Sequence, residues 1–366
     1  MRIAAIRVFG AELTYRHGTY VMSGGRAAAT QDSTVVAIDT ASGRTGWGEV
    51  CTLGGTYLPA FAAGVRAALA ELAPALIGHD AREIRSALAL MDRELRGQHA
   101  AKSPLDIALW DLLGQASGLP VSGLAGGVQH RDFPLYEAVP LDDPERMVAF
   151  VVSRMADGIT SFQLKVGNEP ELDAARTRAV AEAVPPGVRV IADANGGWDV
   201  HDAIAATRLI GGLPVYLEEP CRGLDDNILV ARHAQQQLIL DECVVTLDDL
   251  VRAKREAGVS AVNLKLSRVG GFSRALFLRD AAQRLGLKVS MEDTWGGDIT
   301  TAAVSHLAAT TDPGKLLNVS FMNDWVEEHV AGGEPRSVAG RGAAPTGPGL
   351  GITVDPYALV PLAEYR

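Results

Sequence analysis

The sequence predicts an α/β protein: a (β/α)8-type (modified TIM) barrel with an N-terminal α+β capping domain. Three observations predict it. From about residue 133, eight short apolar runs alternate with amphipathic windows, as in parallel βα units whose strands are buried on both faces. Before about residue 125, strand-like segments come first and helical ones afterwards, the order of an α+β unit. No GxGxxG follows a first strand, so an open dinucleotide-binding sheet lacks its main support.

In chain order, residues 3–13 read as a strand, and residues 34–39 and 45–50 as a hairpin about the turn-rich Ala41-Ser42-Gly43-Arg44. Helical patterns cover about 58–76, 81–95 and 100–116, the last two ending near Gly97 and Gly118. The turn-rich stretches at about 15–29 and 51–57 read as lid loops; the first, about 15 residues long, exceeds what a plain connection needs. Barrel strands are expected at 134–139, 161–166, 188–192, 215–218, 238–241, 261–266, 287–291 and 316–321. Helices such as 171–183, 202–210 and 273–285 lie between them. The domains divide as 1–125 for the cap, 126–330 for the barrel, and 331–366 for a C-terminal segment. That segment is rich in Gly and Pro, and its Ile352-Thr353-Val354 is expected to return to the cap as a short strand.

Composition narrows the function. Among 366 residues, 44 Asp and Glu outnumber 34 Lys and Arg, giving a net charge of -10. A nucleic-acid protein would instead carry a basic patch or stripe. With 47% hydrophobic and 21% charged residues the chain is of globular composition, not disordered. Three widely spaced cysteines with no CxxC argue against a disulfide framework or a zinc site. No run approaches the ~20 apolar residues of a membrane span, and the start alternates like a strand rather than a signal peptide. A cytoplasmic enzyme with no membrane or nucleic-acid partner is expected.

In a (β/α)8 barrel the C-terminal strand ends share one mouth. Those ends carry Lys165, Asp193 with Asn195, Glu218 with Glu219, Asp241 with Glu242, Lys265, and Glu292 with Asp293. From Lys165 through Asp193, Glu218, Asp241 and Lys265 to Asp293 the intervals are 28, 25, 23, 24 and 28 residues, about one βα unit each. Helix capping explains a single carboxylate. It explains neither paired carboxylates nor lysines at two strand ends. Asp193, Glu218 and Asp241, from adjacent strands, would repel one another unless a cation bound them. An all-oxygen set without His or Cys suits a hard ion, Mg²⁺ before Mn²⁺. Lys165 and Lys265 belong to the second and sixth strands, on opposite sides of the ring. In a dry site near a cation, a lysine pKa can fall far enough for it to act as a base. Two such amines flanking one carbon suit removal and return of a proton.

Taken together, this set resembles the enolase superfamily, in its mandelate racemase/muconate lactonizing enzyme branch. The likeness spans nearly the whole chain. It includes the segment from Ala101 to Asp111, then Gly118-Leu119-Pro120-Val121 and Leu124-Ala125-Gly126-Gly127. It continues through Gln163-Leu164-Lys165, Asp193 in Asp-Ala-Asn, Glu218 in Leu-Glu-Glu-Pro, Asp241 in Leu-Asp-Glu, and Lys265 followed by Gly270-Gly271. Many relatives have a lysine where this chain has Gln163. The resemblance implies a substrate carboxylate chelated to Mg²⁺, removal of the proton α to it by a base, and an enediolate. It also implies a homo-oligomer.

No histidine occupies a strand end, so histidine-based sugar-acid chemistry is not expected. Asp293, Thr294 and Trp295 follow the seventh strand, and Asn323, Asp324 and Trp325 the eighth. An acid beside an indole suits a cationic amine. Gln163, Asn195, Asp293, Thr294, Trp295 and Tyr57 (or Tyr20) are the expected substrate contacts, and the small-molecule substrate is expected to be an amino or cyclic imino acid. The run from Glu292 to Asp298 resembles members that act on hydroxyproline or proline betaine. Dehydration of cis-3-hydroxy-L-proline is expected first, racemisation or 2-epimerisation of proline derivatives next, and dipeptide epimerisation third. The intact carboxylates and lysines argue against an inactive binding protein on the same fold.

Overall fold

The computed structural model describes residues 1–366. β1 (Ile3–Thr14), β2 (Thr30–Thr40) and β3 (Thr45–Cys51) form an antiparallel meander. Ile6, Val8, Val36, Ile38 and Val50 bury against α1 (Ala62–Leu76), α2 (Ile84–Glu94) and α3 (His99–Ser117). α3 can lie directly on the sheet because β3 carries Gly46 and Gly48. A Cβ on Gly48 would stand 1.9 Å from the Pro104 carbonyl oxygen. The start expected at residue 58 is not helical, and Phe61, with extended backbone, precedes the first turn. Pro59 disfavours a helical Leu58, which explains the late start.

Eight parallel strands follow: β4 (Glu137–Val139), β5 (Ser161–Lys165), β6 (Arg189–Asp193), β7 (Tyr216–Glu218), β8 (Gln237–Leu240), β9 (Ala261–Lys265), β10 (Lys288–Glu292) and β11 (Leu316–Val319). They pair in sequence order. The sheet curls until the Tyr136 N–H, just before β4, donates to the Val319 carbonyl of β11 at 3.0 Å. The fold is the expected (β/α)8-type barrel with its cap. Phe162, Leu164, Val190, Leu217, Leu240, Val262, Leu264 and Met291 pack in the core shared with the surrounding helices. The alternate residues face inward: Ile191, Ile239, Ala261 and Leu317 fill the interior, and polar residues of the same parity continue to the mouth.

Buried carboxylates tie cap to barrel. Glu49 of β3 accepts the Gly297 and Thr300 N–H groups, each at 2.9 Å, where α4 (Asp298–Ala309) begins. Asp106 of α3 accepts the Ser273 N–H at 2.8 Å in the first turn of the helix Phe272–Arg284. Gly271 (φ 115) is required there, since a Cβ would lie 2.5 Å from the Asp106 carboxylate. Asp111 accepts the Trp47 and Leu350 N–H groups. Burial pushes Asp106 and Asp111 up to about 6.

The C-terminal return differs from expectation. Residues 352–354 form no strand; β12 (Val360–Tyr365) instead adds to the cap sheet beside β1. Pro361 lies opposite Phe9 at a break in register. Proline lacks the N–H a central strand would need, but an edge strand tolerates it. It also interrupts the alternation by which a strand is recognised. No helix is long and apolar enough to cross a membrane.

Candidate active site

Strand register and period-two alternation assemble the mouth. Lys165 pairs with Asp193, Asp193 with Glu218, and Lys265 with Glu292 on neighbouring strands. Lys165, Lys265, Asp193, Glu218 and Asp241 are each at most 5% exposed. The Lys165 ammonium donates to Asp193 Oδ2 at 2.5 Å and to Gln163 Oε1 at 2.8 Å. Gln163 Nε2 and Asn263 Nδ2 both donate to Glu218 Oε1, at 2.8 and 2.7 Å. Across the mouth, Lys265 donates to Asp241 and to the Tyr57 hydroxyl, and its Nζ is 3.8 Å from Glu292. Arg268 donates to the other oxygen of Asp241, and the Tyr136 hydroxyl donates to Glu292.

The protein's own groups favour the charged form of both amines. Burial by itself lowers the pKa of Lys165, but Asp193, with Tyr20 and Glu218, overrides it and the net shift is upward. Lys265 behaves alike, with Asp241 and Glu292 opposing burial. The chain's own carboxylates therefore hold both amines as ammonium, and the expected depression requires a cation that competes for those carboxylates. Burial, then repulsion from Asp193 and Asp241, pushes Glu218 well above the usual carboxylate range. Asp241 is brought down to about 2: burial opposes this, but Lys265 and Arg268 prevail.

No three His, Cys, Asp or Glu side chains form a ready-made metal cage. Asp193 leans onto Lys165, and Asp241 onto Lys265 and Arg268. The clasp expected of Asp193, Glu218 and Asp241 is thus not preformed, because each outer carboxylate takes the nearest cation. The donor set still fits a hard divalent ion. It is all oxygen, and the buried carboxylates Asp193, Glu218, Asp241 and Glu292 exceed the buried cations Lys165, Lys265 and Arg268.

The remaining expected contacts divide. Gln163 points inward. Asn195 (φ 45) is buried beside Asp193, whose carboxylate accepts its N–H at 2.9 Å. Tyr57 reaches Lys265 from the cap, with its ring 5.1 Å from Nζ. Asp293 does not face the lysines. Ser290 and Glu292 have the inward parity of β10, so Asp293 turns outward, where it accepts the Ser267 N–H at 3.0 Å and the Thr294 N–H at 2.7 Å. Thr294 follows it away, within 3.1 Å of the Ser267 hydroxyl. Trp295 is not an open wall. It is 1% exposed, packed against Tyr15, Tyr20 and Trp325, and secures the loop at 15–29. That loop is strapped over the mouth: Ser23 Oγ donates to the Ala194 carbonyl at 2.9 Å, and Tyr20 lies over Lys165. Asn263, Arg268 and Tyr136 escaped the sequence reading. Asn263 could have been found by the rule that exposes Gln163, since each lies two residues before an inward lysine.

A chamber of about 850 Å³ opens between cap and barrel. Leu53, Leu58, Phe61 and Val65 line it from the cap, and Glu242, Ser267, Arg268 and Thr294 from the barrel. Neither lysine lines it. It therefore lies beside the lysine–carboxylate cluster, with Glu242 and Arg268 common to both surroundings.

Comparison with known proteins adds the following. Residues 6–126 match the mandelate racemase/muconate lactonizing enzyme N-terminal domain, and residues 146–358 match the enolase C-terminal domain-like model. The chain is 41% identical to a cis-3-hydroxy-L-proline dehydratase of Roseibium aggregatum, over 96% of each chain. It is 28% identical to an N-succinyl-L-Arg/Lys racemase of Bacillus cereus, over 84% of each. A mandelate racemase/muconate lactonizing enzyme of Roseovarius nubinhibens, solved in complex with magnesium, superposes with a TM-score of 0.96 at 35% identity over 100% of both chains.

Proposed function

The chain belongs to the mandelate racemase/muconate lactonizing enzyme family of the enolase superfamily, and from that membership we propose that it is a lyase dehydrating cis-3-hydroxy-L-proline. One observation carries the reading: two buried lysines, from the second and sixth of eight strands, lie among the same buried carboxylates. Similarity to the Roseibium dehydratase supports this substrate over others.

Asp193, Glu218 and Asp241 are assigned as the residues that hold Mg²⁺, or Mn²⁺ in its place. When bound, the ion supplies positive charge against the negative charge that gathers on the substrate carboxylate as the α-proton leaves. Gln163 and Asn263 fix Glu218 for that task. In the cis isomer the hydroxyl and the carboxylate share one face of the ring, so the α-hydrogen lies on the other. The base and the acid must therefore come from opposite faces, as Lys165 and Lys265 do. One lysine, as free amine, takes the α-proton, and the C–H electron pair becomes the C2=C3 bond. The C3–O bond breaks, the leaving oxygen takes a proton from the other lysine's ammonium, and water departs. The cyclic enamine left behind tautomerises to an imine.

The test is incubation with cis-3-hydroxy-L-proline and Mg²⁺, followed by NMR. Imine formation that depends on the metal is expected; absence of turnover removes this substrate. Similarity to the Bacillus racemase favours a second reading, racemisation or 2-epimerisation of proline derivatives. Deuterium from solvent entering the α-carbon without loss of hydroxyl selects it. We place the enzyme in the cytoplasm, which the free thiols Cys51, Cys221 and Cys243 support, and as a homo-oligomer, which the family resemblance supports.

A further inference from the structure

We propose that Glu242 and Asn195 together form the amine anchor of this site, accepting the two N–H bonds of a secondary ammonium such as that of a cyclic imino acid. The inference rests on reading the substrate as an amine-bearing α-carboxylate.

Asn195 Nδ2 donates to Glu242 Oε1 at 3.0 Å. That bond fixes the two side chains to each other and leaves one acceptor on each, Asn195 Oδ1 and Glu242 Oε2. Both oxygens are buried and neither meets a donor within hydrogen-bond distance, although the Tyr57 hydroxyl lies beside the Glu242 carboxylate. A buried acceptor without a donor is costly, and two on mutually bonded side chains call for a ligand that brings two donors. Asn195 is 4% exposed, and its backbone is held from both sides. Its N–H donates to Asp193 Oδ1 at 2.9 Å, and its carbonyl accepts from Arg26 of the loop at 15–29 at 3.2 Å. The backbone is thereby fixed in a left-handed conformation with φ 45. Glu242 follows Asp241 at the end of the fifth barrel strand and lines the chamber of about 850 Å³, so the pair borders that chamber through Glu242.

A secondary ammonium matches the pair in charge and in donor number. Of the rival carboxylates, Asp293 is held by Ser267 and Thr294. Glu292 accepts from the Tyr136 hydroxyl on one oxygen; the other has no hydrogen-bond partner, but the Lys265 ammonium, 3.8 Å away, already balances its charge. The indole expected to receive the amine is sealed in the aromatic cluster behind the loop at 15–29.

The experiment is calorimetric titration of the Mg²⁺-loaded enzyme with L-proline, N-methyl-L-proline, N,N-dimethyl-L-proline and tetrahydrofuran-2-carboxylate, which offer two, one, no and no N–H donors. On the wild type, affinity is expected to fall along the series, and tetrahydrofuran-2-carboxylate to bind at least about ten-fold more weakly than L-proline. Glu242→Gln, nearly isosteric, is expected to bring L-proline and tetrahydrofuran-2-carboxylate within about three-fold of each other. N,N-dimethyl-L-proline binding the wild type as tightly as L-proline would overturn the anchor. So would an unchanged preference in Glu242→Gln. Should that variant fail to fold, the wild-type series decides alone. If the wild type binds none of the four, the substrate reading itself fails and the anchor falls with it, an outcome distinct from a failure confined to the N–H series or to Glu242→Gln.

Discussion

At Lys165 and Lys265, opposite placement separates two roles that share one chemical group. L-Proline has no leaving hydroxyl, so its α-hydrogen reports the base alone. Replacing the base lysine with alanine is expected to slow exchange of that hydrogen in D₂O by on the order of 10²–10⁴-fold. Replacing the other is expected to spare exchange and abolish dehydration of cis-3-hydroxy-L-proline. Exchange at the wild-type rate in both variants would remove the lysines from the mechanism. His306 makes a different residue-scale prediction. It is buried, accepting the Ser122 N–H at Nδ1 and facing the Leu350 carbonyl from Nε2, and burial lowers it to about 4. The unfolded chain takes up this proton near the ordinary pKa of 6.5, before the folded chain does. The associated stability is therefore complete above pH 6.5 and is lost as pH falls toward 4, about 3 kcal/mol in all. Urea unfolding of wild type and His306→Gln across this range should differ in slope by one proton. Parallel slopes would contradict a neutral buried imidazole.

Among the elements, α3 lies against β3 with the least room for a Cβ of any glycine position in the cap. The Cβ that Gly48→Ala introduces would stand 1.9 Å from the Pro104 carbonyl oxygen, so helix or strand must move. A loss of about 3 kcal/mol is expected, at the upper end of overpacking costs, and thermal melting measures it. α3 also carries Asp106 and Asp111, so the displacement reaches the barrel and the C-terminal segment. A wild-type melting temperature in Gly48→Ala would mean that the helix rests more loosely than the geometry states. Element positions were largely legible: the eight barrel strands appear where apolar runs predicted them, because burial on both faces leaves a plain mark in the chain. β12 was not, since Pro361 breaks its alternation and its pairing with β1 is made across the length of the sequence.

For the whole molecule, buried negative charge at the mouth couples metal binding to stability. A divalent ion that binds only the folded chain stabilises it by about 2.7 kcal/mol at a concentration of 100 times its Kd. Mg²⁺ is expected to raise the melting temperature of the wild type, and Glu218→Gln to reduce that rise. No response of the wild type to Mg²⁺ would oppose the assignment of Asp193, Glu218 and Asp241. The sequence by itself determined the barrel, its cap and which strand ends bear carboxylates and lysines, because chain periodicity dictates which residues recur at one end of a βα unit. Only the tertiary structure decided direction and partner. Glu292 faces inward and Asp293 outward, Trp295 anchors a loop, Arg268 joins Asp241, and Asn195 with Glu242 keep unpaired oxygens. Strand spacing brings residues to the same mouth, but which atoms meet is settled by pleat parity and by segments that return from the distant cap.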